Sequence, residues 1–223
     1  MTSRTNKVVP GIILATGAIW GLVEFGVGMG LQQCAALYTG AILTGLSFFW
    51  LSFIRSLTRK VAPLLVIAGI AMLLKWLDAW LLHVAWNHGS VLNPMFAFLT
   101  ALAGFALFSY LFRNGYAGKL RFRVMTGAGA ALIAVLLFPL VKFVTGTPAC
   151  YYGTTGIPMV FYASPVSIAI SMVTVPLGHW VAKRVERVIS NASSDTSHTV
   201  PGALWSPAVC ALCILIVVLA RVL

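Results

Sequence analysis

The sequence predicts an all-α polytopic transmembrane helix bundle of six to seven spans, with its N-terminus in the cytoplasm. Three observations carry that prediction. First, 60% of the 223 residues are hydrophobic and only 9% are charged, against roughly a quarter charged in ordinary soluble domains. Second, the apolar residues fall in continuous runs near 20 residues long, which is what a bilayer core of about 30 Å requires of a helix. Third, Lys and Arg collect in alternate connections between those runs. With mean hydropathy at +0.97, the composition excludes a cytosolic enzyme, a secreted disulfide scaffold and a nucleic-acid reader. The net charge of +11 is then the mark of basic cytoplasmic loops rather than of a nucleic-acid partner.

Seven runs qualify, near 9–31, 36–54, 61–83, 91–112, 124–145, 158–181 and 203–223. They leave too little chain for a separate soluble unit, so residues 1–223 form a single transmembrane domain. Strands of a membrane barrel would alternate apolar and polar residues, and these runs do not. The first run follows a basic start, but it is long and lacks a small-x-small cleavage site, so it is an uncleaved span. Asn93-Pro94 and Ser164-Pro165 read as helix starts, with Pro at the first helical position. Pro139 and Pro176 lie inside apolar runs and should kink their helices. The seventh run contains Pro207 and is the least secure span.

Charge placement sets the orientation. Arg4 and Lys7 precede the first run; Arg55, Arg59 and Lys60 follow the second; Arg113, Lys119, Arg121 and Arg123 follow the fourth; Lys183, Arg184 and Arg187 follow the sixth. All fall on one side if every run crosses. The connections near 32–35, 84–90 and 146–157 hold no Lys or Arg. By the positive-inside rule the basic side is cytoplasmic, in keeping with a multi-pass protein of a bacterial cytoplasmic (inner) membrane.

Four ionisable residues fall inside runs: Glu24, Lys75, Asp78 and Lys142. A charge at a helix centre costs about 2.5–3.5 kcal/mol on insertion scales, so such residues face the bundle interior or water. Lys75 and Asp78 are i,i+3 neighbours on one helix. All four lie in the outer halves of their runs, which predicts a charge-balanced polar pocket near the outer surface; an ion-pair network that merely fixes packing is the alternative. Trp76 and His83 share a helical face with Lys75 and are candidates for stacking on and hydrogen-bonding a ligand. Trp80 and Trp86 fit an interfacial aromatic belt.

Other residue types give weaker signals. His83 and His88 are five apart, which is not a metal-ligand spacing on a helix, and no metal or cofactor is expected. Cys34 and Cys150 fall in outer connections and could pair in an oxidising compartment. Cys210 and Cys213 sit within an apolar run, where Cys acts as a small hydrophobe. Gly17-x3-Gly21 is a small-x3-small face, suited either to internal packing or to docking a partner subunit. No Walker loop, nucleophile elbow or zincin motif is present, so the chain is not expected to be an enzyme.

The stretch Gly17-Ala-Ile-Trp-Gly-Leu-Val-Glu24, then Leu37-Tyr-Thr-Gly-Ala-Ile-Leu-Thr-Gly45, Leu74-Lys-Trp-Leu-Asp78 and Leu92-Asn-Pro94, resembles the substrate-binding S components of energy-coupling factor (ECF) transporters. The resemblance covers roughly residues 11–100. It implies a helical bundle with a ligand pocket in its outer half, docked through small residues of the first helix to a coupling subunit. The expected function is therefore the substrate-binding membrane subunit of a small-molecule transporter, energised by partner subunits. Its ligand would be small and polar or zwitterionic, because the site residues balance in charge. A non-catalytic structural subunit of a larger membrane complex, such as a redox or light-harvesting assembly, is the alternative.

Overall fold

A computed structural model describes residues 3–31, 36–81, 83, 85, 89–145, 159–194 and 202–222. Their regular structure is entirely helical. The long helices are α1 (Ser3–Leu31), α2 (Ala36–Thr58), α3 (Ala62–Leu81) and α4 (Gly89–Leu111). A short α5 (Arg113–Tyr116) leads into α6 (Leu120–Leu137), and α7 (Val141–Thr145) continues that run. The last two are α8 (Met159–Ser194) and α9 (Gly202–Val222). Six segments are long and apolar enough to cross a membrane: Val9–Gly26, Thr39–Thr58, Ala62–Leu81, Val91–Leu111, Leu120–Phe143 and Ala163–Asn191. The described part of α9 adds a shorter apolar stretch, Pro207–Leu219.

Local chemistry sets the helix ends. α2 stops at Thr58, where Arg59 turns left-handed (φ 58°) and its N–H donates back to the Arg55 carbonyl at 2.9 Å. His83 does the same after α3 (φ 53°), donating its N–H to the Trp80 carbonyl at 3.1 Å. Such an αL residue satisfies carbonyls that a helix end would otherwise leave open. Two proline expectations need correction. α4 and α8 begin at Gly89 and Met159, ahead of Pro94 and Pro165, so both prolines lie inside their helices. A proline this near a helix start forfeits only one internal hydrogen bond, and the helix keeps its extra turn. Pro139 does break its run, as a 3-10 turn at Phe138–Leu140. α8 runs through Pro176 as one helix.

Around the bundle the neighbours run α1, α3, α4, α6, α8, α2 and back to α1, with α9 laid against the outside of α1. The core holds Trp20, Phe48, Leu51, Ile54, Leu64, Ile67, Phe98, Phe105 and Val175. Large apolar side chains also cover the outer surface: Leu65, Leu73, Trp80, Phe143, Phe161 and Val173 all face out. A soluble monomer does not expose apolar surface on this scale; a protein surrounded by lipid does. This is a multi-pass membrane protein.

Glycines let several helix pairs approach to backbone contact. A Cβ on Gly178 of α8 would strike the Phe49 carbonyl of α2, and one on Gly127 of α6 would strike the Ser171 carbonyl of α8. A Cβ on Gly104 of α4 would lie 2.6 Å from the Ala130 carbonyl of α6. Gly17 and Gly21 correct a further expectation. A Cβ there would come within 2.8 Å of Ile70 and 2.6 Å of Leu74, so the first small-residue face of α1 is filled by α3 of the same chain. It is internal packing, not an open docking face.

Candidate functional site

The α1–α3 contact sets the register of the predicted site. Gly17 meets Ile70 and Gly21 meets Leu74, a constant offset that makes the two helices parallel. Carried one turn further, that offset sets Glu24 level with Leu77. Lys75 then lies about 3 Å and Asp78 about 1.5 Å from that level along the axis. Glu24 is 8% exposed, and Lys75, half-buried on α3, is the cation acting on it. One turn back along α1, Trp20 is fully buried. Its ring meets Phe98 of α4 edge-on at 5.1 Å, and among the described residues its indole N–H has no hydrogen-bond partner. A buried carboxylate and an unpartnered buried donor thus sit one helical turn apart, a spacing that shares a face.

The other predicted site residues lie elsewhere. Trp76 is 54% exposed and Trp80 74% exposed, on the outward side of α3. His83 is exposed at the left-handed end of that helix. Lys142 is exposed on α7, with its ammonium 5.0 Å over the Phe143 ring, and α7 packs on α4 rather than on α1 or α3. The structure therefore brings Glu24 and Lys75 together, with Asp78 at their level, and leaves Trp76, His83 and Lys142 outside that group. Cys34 and Cys150 lie outside the described residues. Cys210 and Cys213 are free thiols at the α1–α9 seam, where the Cys210 thiol donates to the Leu14 carbonyl at 3.6 Å. Among the described residues no three His, Cys, Asp or Glu side chains gather as metal ligands.

A second polar cluster, at the basic end, is absent from the sequence expectations. Ser52 and Ser56 of α2, Tyr116 of α5 and His179 of α8 are all buried. Ser52 gives its single hydroxyl hydrogen to the Val175 carbonyl at 2.6 Å. In its 2.7 Å contact with Tyr116 the tyrosine O–H must then be the donor. Ser56 lies 2.9 Å from His179 Nδ1 and also interacts with the Tyr116 hydroxyl. The Tyr116 ring meets the imidazole edge-on at 6.0 Å. Burial holds the Tyr116 hydroxyl above the ordinary phenol range, opposed by hydrogen bonds to Ser52 and Ser56 and by the charges of Arg123 and Arg55. The turn through Phe112 and α5 makes this possible. The Tyr116 N–H caps onto the Phe112 carbonyl at 2.9 Å, tucking the ring between α2 and α8. The sequence signal for it is a Ser pair at i,i+4 within one span and a His within another, neutral residues that no charge pattern marks.

Compared with known protein families, curated proteins and solved structures, the chain matches none. Among the described residues, the fold defines a membrane helix bundle with a buried acid, Glu24, near the half-buried Lys75, and a buried hydrogen-bonded cluster at the opposite end.

Proposed function

We propose that the chain is the substrate-binding membrane subunit of a small-molecule transporter, holding a small polar or zwitterionic ligand between α1 and α3. The observation that carries this is the burial of Glu24 beside an indole N–H without a partner on Trp20. A carboxylate in a span is costly and is kept for a function by default, and a buried donor left unpaired adds about 1–3 kcal/mol. A ligand with an amine and an acceptor group would relieve both, with Lys75 balancing the charge. Energy would come from ATP-hydrolysing partner subunits, and the basic end would face the cytoplasm of a bacterial cell. With Gly17 and Gly21 filled by α3, such partners would dock on other faces.

The test is thermal unfolding of the purified chain against a panel of small amino-carboxylates, with uptake measured in cells. A ligand at a hundred times its Kd adds about 2.7 kcal/mol of stability. Glu24→Gln and Lys75→Met should abolish that shift and the uptake. If both variants keep both, the site assignment fails.

A second reading has its own support. Trp76, His83 and Lys142 lie exposed and apart from Glu24, as in a non-catalytic structural subunit in which Glu24 and Lys75 serve helix packing. Copurification with a cofactor-bearing complex would favour it; copurification with an ATPase pair favours transport.

A further inference from the structure

Most cations at the basic end do what surface cations do. Arg59, Lys60, Arg113, Lys119, Arg121, Arg184 and Arg187 are exposed. Arg113, Arg121 and Arg184 lie over the rings of Tyr110, Phe122 and Trp180, each at 5.0 Å. Arg55 and Arg123 differ. Both are half-buried, and the Nε of each is buried without a hydrogen-bond partner among the described residues. They come from different helices, Arg55 one turn before the end of α2 and Arg123 one turn after the start of α6. Yet both flank the same buried cluster: Arg55 lies between Ser52 and Ser56 on α2, the serines that meet Tyr116 and His179, and Arg123 follows Phe122, whose ring meets Phe112 beside α5 at 5.6 Å.

Two like charges beside one buried cluster repel, and an anion between them would remove that cost. Among the described residues the acid at this end is Glu186, and it is taken by Lys183 at 2.6 Å and Arg59 at 3.9 Å. The hydroxyl hydrogens of Ser52 and Tyr116 are already committed inward, so these groups make a floor rather than a counter-charge. From this convergence we propose that Arg55 and Arg123 form a binding site for a phosphate group, above the floor made by Tyr116, Ser56 and His179. Guanidinium groups suit phosphate oxygens through paired N–H donors. The site lies at the level where helix ends meet the headgroup layer, and basic pockets between helices at that level bind anionic headgroups. A lipid phosphodiester and a free phosphate present the same chemistry. The site is independent of any ligand held at Glu24.

The experiment uses the full chain in a neutral maltoside detergent, with two arms. One titrates inorganic phosphate; the other adds phosphatidylglycerol to the micelles, with phosphatidylcholine as the uncharged comparison. Thermal unfolding and lipid retention in native mass spectrometry are the readouts. Wild type should be stabilised in at least one arm, and phosphatidylglycerol should be retained over phosphatidylcholine if the source is lipid. Arg55→Gln and Arg123→Gln should each weaken that response about tenfold or more, the scale of one lost charge-assisted contact. Arg184→Gln should change it less than about twofold. Where a Gln variant fails to fold, Arg55→Lys and Arg123→Lys keep the charge but lose the fork, and should still weaken binding severalfold. An equal loss in Arg184→Gln overturns the site in favour of diffuse surface charge. No response in either arm overturns it outright, and would leave an acidic partner protein as the remaining counter-charge.

Discussion

Tyr116 is the residue whose protonation the fold depends on. Ser52 spends its hydrogen on the Val175 carbonyl, so the Ser52–Tyr116 hydrogen bond exists only while Tyr116 carries its own. Burial raises the hydroxyl above its ordinary value, so the unfolded chain, with a phenol pKa of about 10, loses that proton first. The unfolded state then binds fewer protons than the folded state, and stability falls as pH rises. The contribution is fully present below about pH 10 and disappears as pH climbs through the folded value. Tyr116→Phe should therefore cost about 1 kcal/mol at neutral pH, one interhelical hydrogen bond. It should also flatten the loss of stability on the alkaline side. Thermal unfolding at pH 8, 9.5 and 10.5 in detergent checks both; an unchanged alkaline slope would show that the phenol is not the titrating group.

At the scale of elements, α8 is held by backbone contact on two sides, by α2 at Gly178 and by α6 at Gly127. Neither neighbour is a flexible side-chain tip, since the Cβ of an alanine would meet carbonyl groups. Gly178→Ala and Gly127→Ala should each destabilise by about 1–3 kcal/mol, the usual cost of overpacking. Gly69 of α3 has nothing within 4 Å of its Cβ position. Gly69→Ala should be neutral or stabilising by up to about 1 kcal/mol, from helix propensity alone. The three unfolding midpoints, measured side by side, separate close packing from glycine content. The helices themselves were readable because length and apolarity are properties of a single segment. Their starts at Gly89 and Met159 were not, because Pro94 and Pro165 mimic a first-turn proline and the sequence does not reveal an extra turn ahead of them. The glycine faces announced close approach but not the neighbour: Gly17 and Gly21 look the same whether Ile70 and Leu74 or a foreign subunit fills them.

For the whole molecule, the shared depth of Glu24 and Lys75 was legible in the sequence, and the directions in which Trp76 and Lys142 turn were not. Glu24 and Lys75 could be matched by depth along their spans. Trp76 shares a sequence stretch with Lys75 yet turns outward, since rotation about a helix axis depends on which neighbours pack there. The same reasoning about neighbours bears on α9. The ring from α1 through α3, α4, α6, α8 and α2 closes without it, and α9 meets the ring along a seam of Ala18, Leu74 and Cys213. Leu212, Leu215 and Leu219 of α9 face outward. In water, stripping such a helix would uncover an apolar stripe and cost its burial. In lipid, the uncovered stripe is simply solvated by acyl chains, and what is lost is packing and one thiol hydrogen bond to the Leu14 carbonyl. A chain ending at residue 201 should therefore stay folded as a six-span unit. Its stability should fall by about 1 kcal/mol, read as about 2–4 °C in Tm. Size-exclusion profile and unfolding midpoint in detergent test this directly. Aggregation of the shortened chain, or loss of the alkaline dependence set by Tyr116 between α2 and α8, would show that α9 is part of the cooperative unit and not an addition to it.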